Sequence, residues 1–527
     1  MIAFLKQGPD KVLVQNDEGL FAMSAEDGHW QREDVRVTLT PRAGKGNTLG
    51  VTVSAERSAL TALVFCWRVD DVIPIDSFVL GDHWERGYGD LEFRGIVPDR
   101  VMPWYMVVSQ GDTTMGIGVK TGARAFCSWK LSRDVLSLRV DVRNGGSGVL
   151  LGGRTLHAAD IVWAEERGVS AYQAARRFCS IMCDKPVLPP QPVYGGNNWY
   201  YAYGVSSAKQ ILEDAKLIAS LSPGGDNRPY MCIDDGWQLC RNSQYIGGPW
   251  HSGNGDFPDM PGLAQAFSKE GIRPGLWIRP LQNAASKSSL WLNPPGLRSG
   301  QGDWFLDPSL PEALEIVRQD IARIAGWGYE LIKHDYSTYD LFARWGVQMG
   351  TEITNTGWHF ADQSRTSMEI VLDLYRVIAE AAGNALVIGC NTISHAAAGI
   401  FALQRTGDDT SGVEWERTRK MGVNTLAFRL CQHNTFYAAD ADCVGVTARV
   451  PWELNRQWLS LLAESGTPLF ASIAPQDVTA EQKRDIKAAF AVAAGTVALP
   501  EPLDWLHSTC PSEYILNGQK RRFHWDG

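Results

Sequence analysis

The sequence has no CxxC pair and no paired Cys and His motif of zinc-ligand spacing, although its 527 residues include 10 cysteines. Their scattered positions argue against a structural zinc site. Cys179 and Cys183 lie one helical turn apart, and we expect them to be buried free thiols.

Long apolar runs are missing as well. No stretch approaches the roughly 20 residues that a membrane-spanning helix needs. The N-terminus, MIAFLKQGPDK, lacks the extended apolar segment of a signal peptide. We therefore expect no membrane partner and a cytoplasmic location, unless a leader was removed from the chain.

Positive charge is not in excess. The net charge of −9 argues against nucleic acid as a partner, because phosphate backbones attract basic proteins. A hydrophobic content of 44% and a charged content of 21% are typical of a soluble globular protein. At 527 residues the chain is expected to divide into two or three domains.

Residues 1–187 are predicted to form an N-terminal β-sandwich. Short alternating runs such as VRVTLT, GVTVSA and LSLRVDVRN are separated by Gly, Asp and Asn turns. A helix, VSAYQAARRFCSIMC, follows them. The loop GDHWERGYGD has two interpretations: an ordinary edge loop, or one that reaches over a neighbouring active site through Trp84.

Residues 188–495 are predicted to form a (β/α)8 TIM barrel. After the Pro-rich segment DKPVLPPQPVYGG, short strands alternate with amphipathic helices about eight times in roughly 300 residues, the size of such a barrel. Residues 496–527 favour β-structure and form a short C-terminal segment, either a truncated β-domain or a strand that caps the barrel. The fold class is therefore α/β with flanking β-regions.

The stretch LIKHDYSTYD carries Lys333 and Asp335 where the fourth strand ends. Residues two apart on a strand point to the same side, so Lys333 is expected to lie beside Asp335 and keep it ionised. An ionised, oriented carboxylate suits a covalent nucleophile. A strand-end salt bridge is the alternative interpretation of this pair alone.

Polar and aromatic residues recur at the other predicted strand ends. Because the carboxyl ends of barrel strands meet at one face, we expect them to surround one pocket. Tryptophans there would serve as flat platforms for the C–H faces of sugars. The residues are Trp199, Asp234, Asp235, Trp277, Arg279, Cys390, Asn391, Arg405, Asp408, Asp409, Asp440 and Asp442.

Opposed carboxylates in such a pocket indicate glycoside hydrolysis, in which one attacks and the other carries a proton. Asp335 suits the ionised role. In RTGDDTSG, Asp408 and Asp409 are neighbours, and like charges raise a carboxyl pKa, whereas Arg405 works against this. The residue types alone do not choose between Asp408 and Asp409.

These motifs together resemble the α-galactosidases of glycoside hydrolase families 36 and 27, and family 36 more closely. The resemblance runs from about residue 194 to residue 470. Its elements are NNWYYAYG on the first strand, CIDDGWQ on the second, GLWIRPL on the third and KHD on the fourth, then the Cys-led fifth strand, RTGDDT on the sixth and ADAD on the seventh.

The resemblance implies a retaining, exo-acting α-glycosidase, most closely an α-galactosidase, acting on an oligosaccharide or glycoside. Asp335 would be the nucleophile, and Asp409, four residues after Arg405, the acid/base. No metal or organic cofactor is implied, and a homo-oligomer is an open expectation. The implied sugar-binding residues are Trp199, Asp234, Asp235, Trp277, Lys333, Cys390 and Arg405, and a sandwich tryptophan, for which Trp84 is the candidate, would also enter the pocket.

Departures from the family pattern leave the substrate open. Asn197 and Asn198 replace Cys-Ser, Asn391 stands where Gly is common, and Arg279 replaces a small residue. We expect Arg279 either to pair with Asp440 or Asp442, or to meet an acidic sugar.

Several alternative functions stay open. An α-N-acetylgalactosaminidase, another α-glycosidase or an α-galactosyl transferase would use the same barrel. From other classes, a metal-dependent barrel enzyme is disfavoured by the lack of an HxH motif. A non-catalytic carbohydrate-binding relative is disfavoured by the retention of both Asp335 and Asp409.

Overall fold

In the computed structural model the chain builds an antiparallel β-sandwich, a parallel barrel and a small C-terminal sheet. The structure describes residues 3–70, 72–241, 245–292 and 305–526. The predicted fold class is confirmed. The predicted domain boundaries fall between elements, in 183–193 and 494–500, and stay an interpretation.

The sandwich consists of two antiparallel sheets whose inward-facing Val, Leu, Phe and Trp side chains form its core. Alternation of buried and exposed positions along the strands produces one apolar face per sheet. In spatial order, the first sheet contains Met102–Pro103, Phe126–Leu131, Val135–Asp141, Ala62–Arg68, Lys11–Asn16 and Gly19–Ala22. The second contains Ser24–Glu26, His29–Arg32, Val35–Arg42, Asn47–Ala55, Thr155–Arg167, Thr113–Val119, Tyr105–Gln110 and Phe78–Gly81.

Minor elements complete this region. A short helix, Ala3–Lys6, precedes the sandwich, and Ala59–Leu60 pairs with Val149–Leu150. The predicted trailing helix spans Ala171–Met182 and begins at the N-cap Ser170, whose side chain accepts from Gln173 N.

The barrel strands run parallel and are buried on both faces, as expected where helices cover the outside. In chain order they are Tyr194–Asn197, Tyr230–Ile233, Arg273–Ile278, Leu331–His334, Leu386–Gly389, Leu403–Arg405, a seventh position split into Ala438–Asp440 and Cys443–Val446, and Leu469–Ile473. The first half of the seventh position pairs with the sixth strand and the second half with the eighth, which closes the barrel.

The strands alternate with helices whose ends follow the sequence. Ser367–Ala382 begins at a capping box, in which Thr366 accepts from Glu369 N and the Glu369 side chain accepts from Thr366 N. The other long helices are Ala208–Leu221, Met260–Lys269, Pro311–Gly326, Trp452–Ser465 and Ala480–Ala493, and the sixth repeat is the composite Trp415–Thr418, Arg419–Asn424, Thr425–Arg429 and Leu430–Gln432. Shorter pieces are Trp199–Ala202, Ser288–Leu290, Ser337–Phe342, Gly346–Gln348 and Ser394–Ala397, with a hairpin formed by Cys240–Arg241 and Ile246–Gly247.

The C-terminal segment is a three-stranded antiparallel sheet, formed by Glu501–Pro502, Glu513–Leu516 and Gln519–Arg522. It packs outside the barrel, where Trp415 Nε1 donates to the carbonyl of Trp525. Among the helices that the structure describes, none combines the length and apolar character needed to cross a membrane.

Candidate active site

Asp335 is the first residue beyond the fourth barrel strand, and its carboxylate is fixed by two donors. Trp277 Nε1 donates to Oδ2 at 3.0 Å, and the backbone N–H of Tyr336 donates to Oδ1 at 2.8 Å. Tyr336 adopts φ 67°, a left-handed conformation that a bulky residue rarely takes. The carboxylate is therefore held in one orientation.

Lys333 forms its direct ion pair with Asp234, although the charge of the predicted partner Asp335 also acts on it. Its Nζ donates to Oδ2 of Asp234 at 2.6 Å, and Asn197 Nδ2 donates to the same oxygen at 2.7 Å. Lys333 extends from the fourth strand across the barrel to the end of the second strand, so it neutralises the carboxylate there. Asn197, one of the departures from the family pattern, serves as a second donor to that carboxylate.

Asp235 is engaged by its own loop. Gln238 Nε2 donates to Oδ1 at 2.6 Å and Arg241 Nε donates to Oδ2 at 3.0 Å. Burial raises the pKa of Asp235 and outweighs these two partners, which lower it. The carboxylate is buried, with 5% of the residue exposed.

Asp409 follows the sixth strand, and two guanidinium groups face it. Arg405 Nη2 lies 3.3 Å and Arg86 Nη1 3.6 Å from its Oδ1. Burial raises the pKa of Asp409, but Arg405 and then Arg86 outweigh this effect and lower that pKa to about 2. Of the two opposing effects expected from the sequence, the attraction of Arg405 therefore outweighs the repulsion from Asp408.

Arg405 lies at the centre of the sixth and seventh strand ends. Its Nη2 lies 2.8 Å from Oδ2 of Asp442, and its Nη1 donates to Sγ of Cys390 at 3.4 Å. Asp442 also accepts from the hydroxyl of Tyr200. Burial raises the pKa of Cys390, so its thiol stays protonated beside the guanidinium.

The loop GDHWERGYGD reaches the active site through Arg86, whereas Trp84 contacts the barrel outside the pocket. Trp84 is buried with 2% exposure, packs edge-on against Trp104 and Phe126, and donates its indole N–H to Gly350 O. Its neighbour Arg86 is the residue that enters the site. The signal available in the sequence was the adjacent Glu-Arg pair between two aromatic residues.

Arg279 pairs with neither Asp440 nor Asp442. It forms a buried two-pronged ion pair with Asp340, with Nη2 to Oδ1 at 2.6 Å and Nε to Oδ2 at 3.0 Å. Its guanidinium carbon lies 4.1 Å from the ring centre of Tyr336. Arg279 therefore supports the turn that follows Asp335, and its partner was missed because it lies on the next helix.

Two histidines near the strand ends have structural positions. His334 is fully buried, with its ring centre 5.6 Å from those of Tyr375 and of Phe401, and thus packs behind the strand. His395 stacks on Trp104 with ring centres 4.9 Å apart. In the part of the chain that the structure describes, no group of three or more His, Cys, Asp or Glu is placed to hold a metal ion.

Asp335 and Asp409 line one pocket of about 290 Å³ at the carboxyl ends of the barrel strands. Two predicted binding residues contact these carboxylates, Trp277 at Asp335 and Arg405 at Asp409. Of the seven predicted binding residues, Trp199 is half-buried and six are less than 10% exposed, namely Asp234, Asp235, Trp277, Lys333, Cys390 and Arg405. The other residues that line the pocket are Arg86, Tyr88, Tyr336, Trp345, Val347 and Asp408.

No protein-family model matches the sequence, and no curated protein matches it in sequence. Solved structures do match. The α-galactosidase TtGalA from Thermus thermophilus, in complex with p-nitrophenyl α-D-galactopyranoside, gives a TM-score of 0.63 at 16% identity, over 94% of this chain and 99% of that chain.

Two further structures are similar over most of the chain. A variant of the family 36 α-galactosidase AgaA from Geobacillus stearothermophilus, in complex with raffinose, gives 0.63 at 13% identity, over 92% of this chain and 75% of that chain. The galactosidase domain of the α-galactosidase-sucrose kinase AgaSK gives a TM-score of 0.60 at 15% identity, over 91% of this chain and 73% of that chain. At these identities the likeness establishes the fold, and the resemblance noted in the sequence extends to the architecture of family 36 α-galactosidases.

Proposed function

We propose that this chain is a retaining, exo-acting α-glycosidase and, within that class, an α-galactosidase. The observation that carries the proposal is that Asp335 and Asp409, from the fourth and sixth strand ends, line one pocket at the catalytic face of the barrel. The substrate is an α-galactoside, because the similar structures hold raffinose, stachyose and a nitrophenyl α-galactoside.

In the first step, Asp335 attacks the anomeric carbon while the bond to the leaving oxygen breaks. The indole of Trp277 and the backbone N–H of Tyr336 orient the attacking carboxylate. Asp409 lies on the side of the leaving oxygen and supplies its proton. The product is a glycosyl ester on Asp335, and the leaving group departs as an alcohol.

In the second step, Asp409 acts as a base on a water molecule, which attacks the same carbon and frees Asp335. The low pKa of Asp409 suits this half of the reaction, because the carboxylate form is the one that accepts a proton. Two displacements at one carbon retain the α-configuration.

The sugar hydroxyls are bound by buried pairs of charged groups at the strand ends. Lys333 and Asp234 form one pair, and Arg405 with Asp442 forms another. Buried pairs of this kind present fixed donors and acceptors at little reorganisation cost when a sugar replaces water. We propose that Trp199, Asp235, Trp277 and Cys390 complete this subsite.

A panel of p-nitrophenyl α-glycosides tests the proposal, with Asp335→Ala as the inactive variant and the exposed Asp226→Ala as the matched control. We expect hydrolysis of the α-galactoside, retained in Asp226→Ala and abolished in Asp335→Ala, with the α-anomer as the first product by NMR. Equal activity of Asp335→Ala and wild type contradicts the proposal. A preference for the N-acetylgalactosaminide, or transfer to an added sugar, would place the chain in one of the alternative classes.

Activity in the presence of EDTA distinguishes the proposed glycosidase from a metal-dependent barrel enzyme. The proposed reaction uses carboxylates alone, so the rate is expected to stay constant when the chelator is added. Loss of activity that is restored by a divalent metal would contradict the proposal.

A further inference from the structure

The loop 82–90, here called the sandwich arm, is attached to the barrel by its backbone directly before Asp409. Gly87 N donates to Thr406 O at 2.8 Å, and Asp408 N donates to Gly87 O at 2.9 Å. The arm therefore pairs with the loop that carries Asp409.

Side chains fix the arm at both sides of that pairing. Asp82 Oδ1 accepts a hydrogen bond from Arg429 Nε at 2.9 Å. Glu85, which is fully buried, accepts from Gly346 N at 2.6 Å, from the Tyr88 hydroxyl at 2.9 Å and from Asn391 Nδ2. The departure at Asn391 is thus explained by a contact with the arm, and the arm is a fixed part of the site.

Arg86 is the group that the arm brings to the pocket. Its side chain is 7% exposed, and its Nη2 lies 2.8 Å from Oδ1 of Asp408. Its Nη1 lies 3.6 Å from Oδ1 of Asp409, and Nε lies 3.2 Å from Oε1 of Glu85. The guanidinium therefore bridges the arm and the carboxylate proposed as acid/base.

We propose that Arg86 is a positioning residue that makes the protonated form of Asp409 scarce and thereby directs the enzyme to α-glycosides with phenolic leaving groups. This inference rests on the proposed function. It assigns to the sandwich arm the choice of leaving group, and to the barrel the choice of sugar.

The chemistry of bond cleavage links the charge of Asp409 to the leaving group. As Asp335 bonds to the anomeric carbon, the electron pair of the breaking bond passes to the leaving oxygen. A sugar or alkyl oxygen then needs the proton of Asp409, whereas a phenolate is stable enough to leave with little proton transfer. An acid that seldom carries its proton slows the first case far more than the second.

The walls of the pocket agree with a planar leaving group. The leaving oxygen must lie beside Asp409, and Arg86, Tyr88, Trp345 and Val347 line the same pocket as Asp409. Val347 is 57% exposed, and the Arg86 guanidinium carbon lies 5.8 Å from the ring centre of Trp345. Aromatic rings and an exposed valine side chain offer a surface for an aromatic ring.

Other charged and titratable groups also face Asp409, and the test must separate Arg86 from them. Cations come from three further elements, and two tyrosines and three carboxylates share the site. They are Arg405, Arg417, Lys333, Tyr200, Tyr336, Asp335, Asp408 and Asp442. Arg417 is the matched control, because it binds Asp408 at 3.0 Å and influences Asp409 less than Arg86 does.

The experiment compares kcat/KM for a p-nitrophenyl and a methyl α-glycoside of the same sugar at pH 6. In Arg86→Gln we expect the ratio of kcat/KM for the p-nitrophenyl glycoside to that for the methyl glycoside to fall about tenfold or more. The pH at which kcat/KM for the methyl glycoside declines on the alkaline side should rise by about one unit, since one unit is a tenfold change in protonation. Arg86→Lys is expected to keep the wild-type ratio, and Arg417→Gln to change it less. An unchanged ratio and profile in Arg86→Gln overturn the inference, even if Asp335→Ala confirms the glycosidase.

A titration independent of turnover covers the case in which no glycoside is hydrolysed. In NMR spectra of protein with labelled aspartate carboxyl groups, the resonance of Asp409 is identified as the one missing from Asp409→Asn. The midpoint of its pH titration is expected to rise in Arg86→Gln. An unchanged midpoint overturns the claim about Arg86. If Arg86→Gln does not fold because Glu85 is left unpaired, Glu85→Gln with Arg86→Gln removes both charges and is measured instead.

Discussion

Lys333 Nζ lies 2.6 Å from Asp234 Oδ2, so the lysine next to the proposed nucleophile in sequence belongs to the carboxylate two strands away. The pair is buried, with 8% of Lys333 and 3% of Asp234 exposed. Burial lowers the pKa of Lys333, but Asp234 outweighs it and raises that pKa well above its usual value. Lys333 therefore stays charged in the folded protein.

Breaking this pair is expected to destabilise the protein. Lys333→Met removes the cation from the buried Asp234, to which Asn197 Nδ2 still donates, and removal of one member of such a pair costs about 3–5 kcal/mol. The free energy of unfolding from denaturant titration measures this. The double variant Lys333→Met with Asp234→Leu should recover part of the loss, and a loss below about 1 kcal/mol in the single variant would contradict the account.

Arg279 is expected to act on the fold and not on the choice of sugar. Its charge is taken up by Asp340, so Arg279→Met should lower the free energy of unfolding by about 3–5 kcal/mol. The double variant Arg279→Met with Asp340→Leu is used to restore stability. In it, the ratio of kcat/KM between neutral and acidic sugar substrates should stay at the wild-type value. A selective loss on an acidic sugar would restore the alternative interpretation made from the sequence.

Much of the barrel could be predicted from the sequence, because it depends on local patterns. The strand–helix alternation, the Thr366 to Glu369 capping box and the polar residues at strand ends are each contained within a few residues. The partners of the charges could not be predicted. Arg86 meets Asp409 across more than 300 positions in sequence, and only the docking of the sandwich on the barrel brings them together.

The same limit explains two partners that the sequence does not identify. Strand periodicity predicts Lys333 beside Asp335, but a lysine side chain is long enough to form its direct ion pair with Asp234, two strands away. The alternatives predicted for Arg279 are Asp440, Asp442 or an acidic sugar, whereas its partner Asp340 lies on the short helix Ser337–Phe342. Periodicity gives the direction of a side chain, and the distance to each possible partner depends on tertiary packing.

Asp440 should make stability depend on pH. Burial raises the pKa of Asp440 to about 6, and the nearby Asp442 adds to this effect although Arg405 opposes it. The folded pKa exceeds the unfolded value of about 3.9, so this contribution to stability is complete below pH 4 and is lost as the pH rises through 6.

Asp440→Asn removes that dependence and keeps the acceptor, Oδ1, for the backbone N–H of Asp442. We expect the variant to exceed wild type in free energy of unfolding at pH 7 by up to about 3 kcal/mol, the equivalent of two pKa units. The difference should vanish below pH 4. A variant that is less stable than wild type at pH 7 would contradict the assignment of a raised pKa.

Asp409 and Asp408 should differ in their dependence on the leaving group. Asp409→Ala is expected to lose about 10²–10⁴-fold in kcat/KM on methyl α-glycosides, the usual worth of a general acid, and much less on p-nitrophenyl α-glycosides. Asp408→Asn, which alters the neighbour that binds Arg86 and Arg417, should change both substrates to a similar extent. Equal losses in Asp409→Ala on both substrates would contradict its role as the acid.

The covalent intermediate tests the central claim most directly. A 2-deoxy-2-fluoro or 5-fluoro α-galactosyl donor with an activated leaving group slows the second step, so the glycosyl ester accumulates and is located by peptide mass spectrometry. We predict one added sugar on the peptide that contains Asp335, and none in Asp335→Ala. A label on Asp408 or Asp409, or turnover of the donor with an inverted product and no label, would contradict the account.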